Sequence, residues 1–182
     1  MACPCLRARW ACYSLCPKVF LACGATPRYE DFGRELVLDA PSGSGSSLGP
    51  LAGLSAGLVR AHALGLEWVI VLACDLPLCS AELLRQLLEH ALREQADVCL
   101  LELERGTQPL LGVYRSEVGQ LAQVALARGD RRMVSFHSDR LGARALRLCH
   151  LRTSDARARL EASNVNTPAE LEQLAALDRR SA

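Results

Sequence analysis

The chain has 182 residues, half of them hydrophobic, and a formal net charge of +1. This length suits a single domain, and no stretch approaches the roughly 18 consecutive apolar residues of a membrane span. Near-neutral charge and an aromatic content of only 4% argue against a nucleic-acid surface, which needs a basic stripe and stacking rings.

The N-terminus carries arginines but no apolar core of secretory length, so no signal peptide is expected. Nine cysteines occur. Cys3, Cys5, Cys12 and Cys16 follow a spacing that fits no usual zinc pattern, and the later ones sit in apolar runs, where a thiol behaves as a small hydrophobe. An odd count without a secretion signal predicts a reducing, cytoplasmic setting. Of the 21 basic residues only Lys18 is a lysine; arginine forks onto phosphate well but does not replace a compact ammonium.

Residues 1–15 show neither strand nor helix period and are expected to be irregular, ahead of a domain over 16–182. Lys18 to Cys23 predicts a short buried strand, and Glu35 to Asp39 a second one ending in a carboxylate. The Gly/Ser-rich run Ala40 to Leu48 predicts a flexible loop. Gly49-Pro50 opens a helix to about Leu64, proline suiting its first position. The continuously apolar run Trp68 to Cys74 predicts a strand buried on both faces, as in a parallel sheet. Asp75 then stands where that strand leaves the sheet, the place where open α/β sheets bind ligands; a plain turn aspartate before Pro77 accounts for it equally well.

Ser80 predicts the cap of a helix to about Arg93 with Leu83, Leu84, Leu87, Leu88, Ala91 and Leu92 as its buried stripe. Asp97 to Glu102 and Gln108 to Tyr114 predict two strands whose short connection permits only an antiparallel pair. Residues 116–128 and 131–138 have helical patterns, and Ala145 to Cys149 predicts a last strand. Thr167, Pro168 and Glu170 have the spacing of a capping box. Asn164 and Asn166, alternating amides just before that cap, have no such structural explanation. Strands alternating with helices, plus one hairpin, give an α/β fold: a three-layer αβα sandwich whose mostly parallel sheet has one antiparallel strand.

In order along the chain, Gly49-Pro50-Leu51-Ala52-Gly53-Leu54, Cys74-Asp75-Leu76-Pro77, Gln108-Pro109-Leu110 with Tyr114-Arg115, Gly129-Asp130-Arg131-Arg132 and Asn164-Val165-Asn166-Thr167-Pro168 resemble the molybdenum cofactor guanylyltransferases, nucleotidyltransferases of Rossmann-like fold. The resemblance runs from about Cys16 to the end. It implies transfer of GMP from GTP to molybdenum-bearing molybdopterin, giving the guanine dinucleotide and pyrophosphate. It implies Asp75 as catalytic magnesium anchor, Asp39 and Gly49 beside the nucleotide, and Gln108, Arg131, Arg132, Asn164 and Asn166 on the pterin side. Implied partners are GTP, molybdenum-molybdopterin, and molybdoenzymes or their chaperones, with no nucleic acid and no membrane.

The departure is at the front. The family opens with a strand and a Leu-x-Gly-Gly-x-Ser-x-Arg-Met-Gly loop followed by Asp-Lys, and nothing in residues 1–17 matches it. Lys18 begins the next strand and cannot be that lysine; the run Ser42 to Gly49 follows the wrong strand to replace the loop. The chain is therefore expected to be N-terminally truncated and to bind GTP weakly. Alternatives are a sister nucleotidyltransferase of the molybdopterin cytidylyltransferase or sugar-phosphate type, or a catalytically dead remnant that binds pterin or a partner protein.

Overall fold

The structure, a computed structural model, describes residues 16–27, 29–39 and 48–181. The expectations for residues 1–15 and for most of the loop Ala40 to Leu48 lie outside these. Strand β1 (Phe20–Ala22) pairs in parallel with β2 (Glu35–Val37). Helix α1 (Pro50–Ala63) follows, then β3 (Trp68–Leu72), α2 (Ala81–Arg93), β4 (Val98–Leu103) and β5 (Gly106–Arg115). After α3 (Gly119–Ala127) come the short pair β6 (Arg140–Leu141) and β7 (Arg144–Ala145), then β8 (Leu148–Arg152), α4 (Ala156–Glu161) and α5 (Pro168–Ser181). Among the described residues no helix is long and apolar enough to cross a membrane.

The larger sheet has the order β3-β5-β4-β8. β5 runs antiparallel to both neighbours while β4 and β8 are parallel, so β5 is the single reversed strand. Alternating residues feed two cores. Ile70, Leu72, Cys99, Leu101 and Val113 pack under Leu83, Leu84, Leu87 and Ala91 of α2. On the other face Val69, Val71, Val98, Leu100 and Tyr114 meet Leu51, Leu54 and Leu58 of α1 and Ala122 and Ala125 of α3. Period-2 alternation thus builds the three layers expected from the sequence.

Four local expectations need correction. Leu92, expected in the buried stripe of α2, is 52% exposed. Every residue of β3 is half-buried rather than enclosed: β3 pairs on one edge only, with the antiparallel β5, among the described residues. Residues 131–138 are not a helix. Their bonds run from Ser135 N to Arg132 O, His137 N to Val134 O and Asp139 N to Phe136 O, a chain of four-residue turns anchored by fully buried Phe136. The last strand begins at Leu148, not Ala145, because Ala145 is taken by the pairing of β6 with β7.

Helix starts follow their caps. Ser80 Oγ accepts from Leu83 N at 3.1 Å. Thr167 Oγ1 accepts from Glu170 N, and the Glu170 carboxylate accepts from Thr167 N and Asn166 N, a reciprocal capping box. A residue with no sequence signal ties two of these regions together. Glu161, 5% exposed, accepts from both the backbone N–H and the hydroxyl of Ser80, and from Arg157 Nε.

Replacing Glu161 by Ala leaves the Ser80 donors without their buried acceptor. The expected loss is about 1–3 kcal/mol of unfolding free energy. Arg85→Ala, which breaks only exposed helix-surface pairs, should lose less than about 0.5 kcal/mol. Urea unfolding of the two variants, with unchanged slope, checks the difference.

Candidate functional site

Asp75 stands just beyond the carboxyl end of β3, and two segments distant in sequence flank its loop. On one side lies a β5 bulge. Leu100 pairs with Gly112 and Leu101 with Gln108, so Pro109, Leu110 and Leu111 are extra residues on β5. The Leu110 carbonyl accepts from Ala73 N at 2.8 Å, which sets this bulge against the start of the Asp75 loop. Proline donates no N–H, which suits it to such a break in the ladder. The Pro109 carbonyl is in turn satisfied by the hydroxyl of Tyr114, at 2.6 Å. Tyr114 is wholly buried, and burial pushes its hydroxyl above the usual phenol range.

On the other side lies the chain leading into α5. Val165 N donates to the Asp75 carbonyl at 2.8 Å, and Asn164 Nδ2 donates to Asp75 Oδ2 at 3.1 Å. Val165 and Leu174 form a small apolar cluster with Leu78, Leu160 and Leu171, which presses this segment onto the loop after Asp75. The second carboxylate oxygen, Oδ1, is buried and has no hydrogen-bond partner among the described residues. A buried oxygen of this kind, beside one fixed by an amide, is an acceptor that lacks its donor or cation.

Asp39 has a similar orphan. It is 9% exposed, its Oδ1 is buried without a partner among the described residues, and burial raises its carboxyl above the ordinary value. It lies beside the first turns of α1: a Cβ at Gly53 would come 3.2 Å from Ala22 Cβ and 3.8 Å from Asp39 Oδ1. Gly49, the residue before α1, has φ +77°, a conformation that glycine adopts without strain, and its carbonyl accepts from Ala52 N. Lys18 is elsewhere engaged, with Nζ 2.8 Å from Glu35.

The remaining sequence candidates fall into two groups. Gln108 opens the bulge and Asn166 sits within the capping box, so both border the Asp75 segments. Arg131 and Arg132 are exposed in the turn after α3, where Arg132 donates through its backbone N, Nε and Nη2 to Asp130. That fork holds the Asp130 carboxyl down at about 2. Sequence reasoning missed Glu161, Tyr114 as the bulge clamp, and the contact of Asn164 with Asp75. Only the last had a signal, the two unexplained amides.

Residues 7–141 match the family described as MobA-like NTP transferase domain. A molybdenum cofactor guanylyltransferase of Pseudomonas entomophila is 33% identical over 142 residues, covering 78% of this chain and 66% of that protein. One of Shewanella sediminis is 29% identical over 106 residues, 58% of this chain and 51% of the relative, and a probable one of Carboxydothermus hydrogenoformans is 32% identical over 126 residues, 69% and 60%. The chain thus spans about half to two thirds of the length of these relatives. The fold is shared with molybdopterin-guanine dinucleotide biosynthesis protein A of Archaeoglobus fulgidus (TM-score 0.69, 19% identity, 97% of this chain and 86% of that one). It is shared also with 2-C-methyl-D-erythritol 4-phosphate cytidylyltransferase of Thermus thermophilus (TM-score 0.61, 15% identity, 96% and 89%). With three quarters of its length inside the family match, this chain belongs to the MobA-like NTP transferase family.

Proposed function

We propose that the chain transfers GMP from GTP to molybdenum-bearing molybdopterin, forming the guanine dinucleotide and releasing pyrophosphate. The observation that carries this reading is the Asp75 carboxylate at the end of β3, one oxygen fixed by Asn164 and the other buried without a partner among the described residues. The relatives named molybdenum cofactor guanylyltransferase support the choice of substrates, and the strand-end carboxylate supports Asp75 as the place of reaction.

Magnesium fits this carboxylate: it takes oxygen ligands and keeps water and substrate phosphates for its other positions, so one protein anchor suffices. Asp75 would hold it, and when bound it supplies charge neutralisation between two phosphate groups that must approach one another. The rest falls to the chain's own residues. Asn164 keeps Asp75 Oδ2 occupied and thereby orients Oδ1, an electrostatic preorganisation in which no reorientation is needed during reaction. Asp39, with its carboxyl oxygen buried next to α1, accepts from the nucleoside, and Gly49 lets the backbone approach the nucleotide closely. On the other side, the Gln108 bulge, Asn166, Arg131 and Arg132 contact the pterin and its phosphate. For Arg132 this means exchanging an exposed Asp130 pair, which is worth little. Molybdoenzymes or their chaperones receive the product.

Asp75→Asn should fold normally, because an amide retains an oxygen for Asn164, yet lose roughly 100–1,000-fold in kcat with GTP and magnesium. Asn164→Ala should lose about 10–100-fold and need more magnesium for half-maximal rate, a shift that loss of stability alone would not give. The assay is dinucleotide formation from GTP and molybdopterin, and full activity of Asp75→Asn would overturn the assignment. Turnover with CTP in place of GTP would move the chain to a cytidylyl-transferring reading.

Asp39 gives a prediction of opposite sign for stability. Its pKa is raised in the folded state, so the folded chain binds more protons than the unfolded one just above the ordinary value of 3.8. Stability therefore falls as pH rises through that window, and at neutral pH the buried charge opposes folding. Asp39→Asn should raise the unfolding free energy by about 1 kcal/mol, or 2–4 °C in Tm, while weakening GTP binding in a titration calorimeter.

A further inference from the structure

Far from Asp75, two cysteines stand side by side under α2. Cys99 and Cys149 are register partners on the parallel strands β4 and β8. Both face the α2 layer, Cys99 completely buried and Cys149 half-buried. His90, in the last turn of α2, completes the group: one donor atom from each residue lies within 4.8 Å of the others. Ile70 is level with Cys99 through Val113. Asp75 is five residues further along, roughly 16 Å at strand rise. Nothing in the nucleotidyl-transfer reading uses these three side chains.

We propose that His90, Cys99 and Cys149 form a binding site for a thiophilic divalent cation of the zinc type, which clamps α2 to β4 and β8. The ligand chemistry is that of zinc, which takes thiolate sulfur at about 2.3 Å and imidazole nitrogen at about 2.0–2.1 Å. Two ligands on a tetrahedral ion of that size stand about 3.8 Å apart, within the observed separation. A disulfide suits the place poorly. In-register neighbours on parallel strands hold their side chains about 4.7–4.9 Å apart, outside the 3.5–4.5 Å between Cβ atoms that a disulfide takes.

Cys99 and Cys149 are both free thiols. A bound cation replaces the two S–H protons, which leave to solvent, with two metal–sulfur bonds. His90 is half-buried, so its side of the cluster opens toward solvent, from which the fourth ligand of a bound cation would come. Arg93 Nη2 lies 2.7 Å from His90 Nδ1. Coordination through Nδ1 displaces this guanidinium, and coordination through Nε2 turns it outward; it is 69% exposed and moves at small cost.

The test is titration of the reduced 182-residue chain with Co2+ under argon. One equivalent should produce a thiolate-to-cobalt charge-transfer band and tetrahedral ligand-field bands, both bleached by one equivalent of Zn2+. Zn2+ should also raise Tm. Cys149→Ser should roughly halve the charge-transfer band, and His90→Gln should weaken cobalt binding about 10–100-fold while keeping the two-sulfur intensity. His90 is partly exposed, so its variant carries the test if Cys149→Ser misfolds. Absence of a charge-transfer band, or a band unchanged in both variants and therefore belonging to Cys3, Cys5, Cys12 or Cys16, overturns the proposal.

Discussion

The described fold depends on the hold that residues 161–165 keep on residues 75–80. Val165 N donates to the Asp75 carbonyl, Asn164 to its carboxylate, and Glu161 accepts from the backbone and hydroxyl of Ser80. These bonds close a loop of more than eighty residues, and loop closure of that length is entropically unfavourable unless several contacts form together. The apolar cluster of Val165, Leu174 and Leu78 makes them cooperative, since it excludes water from the same short segment. The loop that presents Asp75 cannot be displaced without breaking the start of α2 and the approach to α5 as well.

The reversed strand β5 does related work from the other side. A regular antiparallel hairpin would carry its residues past Ala73 in even register. Instead three extra residues bulge at Pro109 to Leu111, and the ladder restarts one strand residue later on β4. Bulges re-aim the chain at sheet ends, and this one sets the Leu110 carbonyl against the start of the Asp75 loop. Holding the bulge requires a partner for the Pro109 carbonyl, and the buried Tyr114 hydroxyl supplies it. Gly112 at the restart has the Cys99 carbonyl only 2.7 Å from where a Cβ would lie, so the strand approaches β4 more closely than any larger residue permits.

Local chemistry was legible in the sequence and long-range pairing was not. Pro50, Ser80 and the Thr167 to Glu170 box mark helix starts because a cap acts within one turn, and each helix begins where its cap predicts. Asp75 was legible as a strand-end carboxylate because the apolar run before it is continuous. How enclosed that strand is depends on its neighbours, which periodicity does not record, and β3 proves half-buried. Residues 131–138 carry helical spacing, but Phe136 is drawn into the α1–α3 core and Asp130 captures Arg132, so consecutive turns win over a helix. Glu161 gave no signal at all: a single carboxylate in an arginine-rich helix predicts a surface ion pair, and only the folded chain brings Ser80 to it.

The two orphaned carboxylates divide between the two sheets. Asp39 follows the β1–β2 pair, Asp75 the four-stranded sheet, and no ladder joins these sheets among the described residues. Helix α1 packs on β1, β2 and β3 and so spans both. Its contacts are close where small residues allow it: Gly53 against Ala22 and Asp39 on one side, and Leu58 against Gly119 of α3 on the other, with 2.8 Å left for a Cβ at Gly119. Close-packed interiors transmit displacement because they have little free volume to absorb it. A side chain added at either glycine therefore shifts α1 against one sheet while its apolar stripe stays fixed on the other. On the proposed reaction, the nucleoside held at Asp39 and the phosphates held at Asp75 must keep a fixed separation. The small residues on α1 and at its contact with α3 are then a requirement of the chemistry as much as of the packing.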